Sequence, residues 1–95
     1  MTVQALAMIT VTDRESLGAY REKAAEALAK HGGSVVAADP APLILEAAVD
    51  KPDMAALLSF PNADAAKAWR EDPALADIHA LRNKGGKSTI VVLPA

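Results

Sequence analysis

The chain has 95 residues, 52% of them hydrophobic and 23% charged, which describes one globular domain whose apolar runs fall well short of the roughly 20 residues of a membrane helix. Ten basic and twelve acidic side chains leave a formal net charge of −2, so no positive field exists to draw nucleic acid or an acidic membrane surface. The chain has no cysteine, which excludes disulfides, thiolate nucleophiles and thiolate metal sites; with no basic segment in Met1-Thr2-Val3-Gln4 to suggest a signal peptide, a cytoplasmic location is expected.

Val3, Ala5, Ala7, Ile9 and Val11 alternate along one face of a first strand, and Leu6 and Met8 make the opposite face apolar as well. A strand apolar on both faces belongs to a sheet covered on both sides. Thr12-Asp13-Arg14-Glu15 has the form of a capping box with Thr12 as N-cap. Leu17, Tyr20, Ala24, Ala27, Leu28 and His31 then recur at helical spacing, Glu26 and Lys30 pair at i,i+4, and Gly32-Gly33 ends the helix. Ser34 to Ala38 reads as a second strand and Asp39-Pro40-Ala41-Pro42 as a turn. Leu43 to Val49 reads as an extended continuation or hairpin arm, confined to an edge by its prolines. After a turn at Asp50 to Asp53, Met54 to Phe60 forms a strand. Asn62 caps a helix through Ala65, Ala66 and Trp69, which Pro73 restarts as a short segment through Ile78 and Leu81. Lys84-Gly85-Gly86-Lys87 breaks that segment before a last strand, Ser88 to Leu93, and Pro94 closes the chain.

The order β-α-β-β-α-β predicts a ferredoxin-like α+β domain over residues 1–95: a four-stranded antiparallel sheet with its helices on one face. The doubly apolar pattern assigns the first and last strands to the centre of that sheet. Its open face needs a cover of roughly 800 Å² per protomer, and a face-to-face homodimer is the simplest closed arrangement that supplies it.

Tyr20, the His31-Gly32-Gly33 turn, Glu46, Phe60-Pro61, Trp69, Pro73, Arg82 and Ser88, in this order and spacing, resemble the family catalogued as domain of unknown function 1330, over nearly the whole length. The resemblance implies membership of the dimeric α+β barrel superfamily, in which two ferredoxin-like sheets pack face to face. Where the family usually has Arg-Gly-Gly after the second strand this chain has Ala38-Asp39-Pro40, and where an aromatic usually follows the proline of the second helix it has Leu75. Superfamily relatives include cofactor-independent monooxygenases, lactone isomerases and haem-dependent enzymes, so the resemblance implies no single reaction.

Five residues are candidates for a ligand site: Tyr20, His31, Glu46, Trp69 and Arg82. His31 on the helix stripe, or Glu46 in an apolar arm, has the chemistry to move a proton; the competing readings are a histidine favoured by the helix dipole and a carboxylate turned to water. Arg82 suits a bidentate grip on an anionic group, with His79 beside it at i,i+3, and a surface salt bridge is its competitor. Tyr20 and Trp69 fit either ligand contact or core packing. Gly86-Lys87-Ser88 is not a phosphate loop, because residue 81 is leucine and a strand follows the glycines rather than a helix. No cofactor motif, nucleophile elbow or metal-ligand spacing is present. Two functions are consistent with this pattern: a cofactor-independent enzyme acting on a small organic acid or aromatic, and a non-catalytic small-ligand-binding or structural dimer.

Overall fold

The alternating strand β1 (Val3–Val11) lies in the middle of a four-stranded antiparallel sheet of order β2-β3-β1-β4. The computed structural model describes residues 2–48 and 51–93. In chain order β1 is followed by α1 (Arg14–Ala29), β2 (Ser34–Asp39), β3 (Met54–Phe60), α2 (Ala63–Glu71), a 3₁₀ turn (Pro73–Leu75), α3 (Ala76–Gly85) and β4 (Gly86–Leu93). All the helices lie on one face of the sheet, so the fold is the expected ferredoxin-like α+β arrangement.

The sheet corrects one expectation about strand position. β1 and β3 are central, whereas β4 pairs with β1 alone and β2 with β3 alone. Side-chain alternation reports which faces of a strand are covered, while the number of ladder neighbours is set within the sheet plane. The apolar pattern of β4 therefore carries no information about the edge.

Directly opposed residues share a face, so the register separates the two sides of the sheet. Val3, Ala5, Ala7 and Ile9 of β1 and Leu58 and Phe60 of β3 are buried beneath the helices. There they join Ala27, Leu28, Ala66, Trp69 and Leu75 in the core. Each large side chain fully buried in this way, such as Leu28 or Phe60, stabilises the fold by about 1.5–3 kcal/mol. On the other side Val91, Leu6, Leu57 and Ala37 form a row across all four strands.

Helix boundaries follow local chemistry. The N-cap of α1 is Asp13, one residue later than expected, because its carboxylate accepts from the Glu15 and Ser16 backbone N–H groups and from the Ser16 hydroxyl. These bonds, the Ser16 hydroxyl first, hold the Asp13 carboxyl below its usual pKa. Beyond Ala29 the chain turns through Gly32, whose φ of +73° suits glycine. Asn62 caps α2 as expected, accepting from Ala65 N at 2.8 Å.

Two further expectations are corrected. The segment after β2 forms no strand arm in its described part: Asp39 Oδ1 accepts from Ala41 N at 2.8 Å, and Leu43 and Leu45 stand 87% and 91% exposed. Prolines 40 and 42 withhold ladder donors there, and the free edge of β3 is already taken by β2. Val49, Asp50 and Pro94, on which the arm's end, the next turn and the chain's close were expected to fall, lie outside the described residues. At the other end of the chain α3 runs to Gly85 and β4 starts at Gly86, so Lys84 to Lys87 is a direct helix-to-strand junction instead of a loop.

That junction sets the geometry of the helix layer. A side chain on Gly85 would strike the backbone of Leu17, about 2.9 Å from its Cα. The Gly85 carbonyl accepts from Thr12 N and Asp13 N at 2.9 and 3.0 Å. The end of α3 is thereby fixed against the start of α1. Tyr20 is one turn beyond Leu17 and Arg82 one turn before Gly85, so the same contact brings these two side chains opposite each other.

A buried arginine between two cavities

Arg82 is only 1% exposed, the largest of the fully buried side chains among the described residues. Its Nε donates to Ser88 Oγ at 3.3 Å, and its Nη1 donates to His79 Nδ1 at 2.8 Å and to Tyr20 Oη at 3.5 Å. The guanidinium carbon lies 5.4 Å from the centre of the Tyr20 ring and 5.5 Å from that of Trp69. Among the described residues no carboxylate pairs with it; the ion pairs found join Lys30 and His31 to Asp72. A buried cation surrounded only by neutral acceptors and π faces retains much of its desolvation cost.

His79 holds the arginine in place. Its Nε2 is 2.8 Å from the Trp69 carbonyl oxygen, which can only accept, so Nε2 carries the proton and Nδ1 offers its lone pair to Arg82. Burial, and secondarily the charge of Arg82, lower the His79 pKa, keeping the ring neutral. Its edge meets Trp69 at 4.8 Å, and Trp69 in turn packs against Phe60 at 5.6 Å.

The arginine forms part of the wall between two cavities, together with Trp69 and Ile90, which line both. One, of about 210 Å³, lies between α1 and the sheet. Its walls are mostly apolar, and Tyr20 and Arg82 stand in them. Its space comes from alanines on facing surfaces: Ala24 on the helix, and Ala7, Ala38 and Ala56 on the sheet. The second, of about 280 Å³, lies between α2, α3 and β4, with Lys67, Arg70, Asn83 and Ser88 among its lining. Tyr20 and Ser88 bond different nitrogens of one guanidinium and line different cavities, so Nη1 serves the α1 side and Nε the β4 side.

Of the five candidates from sequence, Tyr20, Trp69 and Arg82 come together here. His31 and Glu46 do not line either cavity. His31 sits in the turn after α1, off the helix stripe, with Nε2 2.8 Å from Asp72 Oδ2. The same carboxylate takes Lys30 at 2.9 Å and caps the 3₁₀ turn through Ala74 N. Lys30 first, then His31 and Ala74 N, hold the Asp72 carboxyl far below the usual carboxylate range. This cluster ties the α1–β2 turn to the α2 corner. Glu46 is exposed in the irregular segment after β2. The surface salt bridge that competed for Arg82 is absent among the described residues. Sequence reasoning missed the cavity-forming alanines and the link between His31 and Asp72. The alanines become conspicuous only once helix and sheet face each other, and a pair 41 residues apart leaves no local pattern.

Among the described residues no group of three potential metal ligands occurs, and no helix is long and apolar enough to cross a membrane. The chain belongs to the family described as domain of unknown function (DUF1330), whose model matches residues 2–95. No curated protein matches the sequence. Solved structures share the fold at low identity. A protein of unknown function from Rhodopseudomonas palustris is 18% identical, over 99% of this chain and 82% of its own, with a TM-score of 0.78. SnoaB, a cofactor-independent oxygenase from Streptomyces nogalater, is 16% identical, over 99% and 92%, with a TM-score of 0.70. A dimeric ferredoxin-like protein of unknown function from Jannaschia is 13% identical, over the full length of both chains, with a TM-score of 0.69.

Proposed function

We propose that this protein, from a family without an assigned reaction, is a small cytosolic homodimer that binds a small organic acid. The acid's apolar body would lie between α1 and the sheet, with its carboxylate on Arg82. One observation carries this reading: the guanidinium is buried without an acidic partner among the described residues and borders a cavity. An arriving carboxylate would supply the missing counter-charge through charge-assisted hydrogen bonds. The cavity's 210 Å³ exceeds the ~150 Å³ that accommodates a benzene ring, which sets the size class as one ring or a short chain. Tyr20 and Trp69 supply aromatic surface beside it.

Dimerisation through the open sheet face is supported by the apolar row Val91, Leu6, Leu57 and Ala37, and by the description of the Jannaschia protein as dimeric. A second reading, a cofactor-independent enzyme acting on the same acid or aromatic, draws on the fold shared with SnoaB. Because His31 and Glu46 lie outside the cavity, proton movement would in that case fall to Tyr20, whose hydroxyl is 3.5 Å from Arg82 Nη1.

Thermal unfolding in the presence of small aliphatic and aromatic carboxylates, each beside its neutral amide, tests the reading. Acids alone are expected to raise the midpoint, since a ligand bound only to the folded state stabilises it. Ala24→Leu, which fills the cavity and leaves Arg82 in place, should abolish the rise. Equal shifts with acids and amides, or an undiminished shift in Ala24→Leu, would overturn it. Consumption of a stabilising acid separates enzyme from binding protein.

A further inference from the structure

The cavity on the β4 side of Arg82 differs in chemistry from the one between α1 and the sheet. Lys67, Arg70 and Arg82 line it and no acidic residue does. Trp69, which lines both cavities, carries the one buried side-chain polar atom that lacks a partner among the described residues. Trp69 is 3% exposed, and its Nε1–H has no acceptor. An orphaned buried donor costs about 1–3 kcal/mol, and native proteins tolerate few of them. Asn83 completes the lining. Its Oδ1 accepts from the Ser88 hydroxyl at 3.4 Å, while Ser88 accepts from Arg82 Nε. That chain of bonds commits the Asn83 oxygen and leaves its amide NH₂ without an acceptor among the described residues.

We infer that this cavity is a second, separate site that binds a tetrahedral oxyanion, a phosphate or phosphate monoester. The donor set consists of the Asn83 amide, the exposed cations Lys67 and Arg70, and the Arg82 guanidinium. That is more donors than the two oxygens of a carboxylate can occupy, and it suits an anion with three or four acceptor oxygens. Lys67 and Arg70 are exposed, so the anion enters from solvent with charge to attract it. The volume of about 280 Å³ leaves room for a short organic group on the phosphate. This site does not depend on an organic acid occupying the α1 side: Arg82 is common to both cavities, but Lys67, Arg70 and Asn83 line only this one of the two.

The chain's single tryptophan lies in the wall, so its emission reports occupancy directly. Inorganic phosphate is titrated into the purified protein at constant ionic strength held with potassium chloride, because exposed cations also respond to bulk salt. A saturable change in Trp69 emission is expected. The double variant Lys67→Gln and Arg70→Gln should raise the half-saturating concentration at least roughly tenfold. Both residues are exposed, so this variant should fold normally. Ala24→Leu, on the far side of the wall, should leave the phosphate response unchanged. Absence of saturation, an unaltered curve in the double variant, or loss of the response in Ala24→Leu would each overturn the assignment.

Discussion

Arg82 and His79 make opposite demands on the core, and both can be read by measurement. His79 is neutral because burial, and then Arg82, lower its pKa, so the unfolded chain binds more protons than the folded one as pH drops through the ordinary imidazole range. Stability therefore rises with pH across that range and is lost as pH falls from about 6.5 towards the folded-state value. Urea unfolding of the protein and of His79→Gln between pH 8 and pH 5 should reveal the difference. The steeper loss on acidification belongs to the protein with His79, and parallel curves would refute the assignment. His31 is common to both proteins and cancels in the comparison. Arg82 has the reverse signature. A cation placed for a ligand is an unrepaid cost in the empty protein, and replacing buried charge by an apolar group of similar volume is often neutral or stabilising. Ligand-free Arg82→Met is accordingly expected to unfold at or above the temperature of the unsubstituted protein while losing every carboxylate-induced shift. A midpoint lower by several degrees would mean that Arg82 serves the fold instead of a ligand.

At the level of elements, the contact of Gly85 with the Leu17 backbone aligns α1 with α3, and a pair of glycine substitutions isolates it. Gly85→Ala forces a methyl group into main chain and should destabilise by about 1–3 kcal/mol, as overpacking does. Gly18→Ala, in the interior of α1 with nothing within 4 Å of the new methyl, should stabilise by roughly 0.5–1 kcal/mol through helix propensity. Urea denaturation checks both, and Gly85→Ala should also weaken carboxylate binding because Tyr20 and Arg82 move apart. Elements were legible wherever one short-range rule governed them: the alternation of β1 and β3, the Asn62 cap and the glycines after α1. The N-cap of α1 was missed by one residue because Thr12 and Asp13 are both competent caps, and the Ser16 hydroxyl decided for Asp13. The place of β4 at the edge, the irregular course after β2 and the Asp72 partner of His31 depend on which distant segment occupies a given edge or corner, and no local pattern encodes that. For the site, Tyr20 and Trp69 were legible on the apolar sides of their helices, and Arg82 as a cation suited to an anionic group. Their arrangement around a cavity was not, because the cavity is made of alanines whose significance emerges only when helix and sheet face each other.

For the whole molecule, one helix layer on one sheet gives a slab 18 Å thick with extents of 30 and 29 Å in the other directions. One broad side is covered by helices. The other presents Leu6, Met8 and Leu57 part-buried, and Val91 and Leu93 exposed. A face of these dimensions can supply the roughly 800 Å² per partner of a stable interface. A twofold axis through it would bring the row containing Leu6 and Leu57 against its own copy, giving a core sandwiched between two sheets about 10 Å apart. Leu6 has neighbours on both sides, Leu57 and Val91, so it lies near the middle of that interface, where burial of an unpaired charge is most costly. Leu6→Lys should therefore convert a dimer into a monomer in sedimentation at micromolar concentration. Lys87→Glu, at the end of β4 on the same face, should leave the dimer nearly intact because rim charges contribute little. Both arginine-lined cavities lie on the helix side, away from this face, so monomeric Leu6→Lys should retain the Trp69 response to phosphate. A monomeric unsubstituted protein would remove the face-to-face arrangement, and a dimeric Leu6→Lys would move the interface elsewhere on the surface.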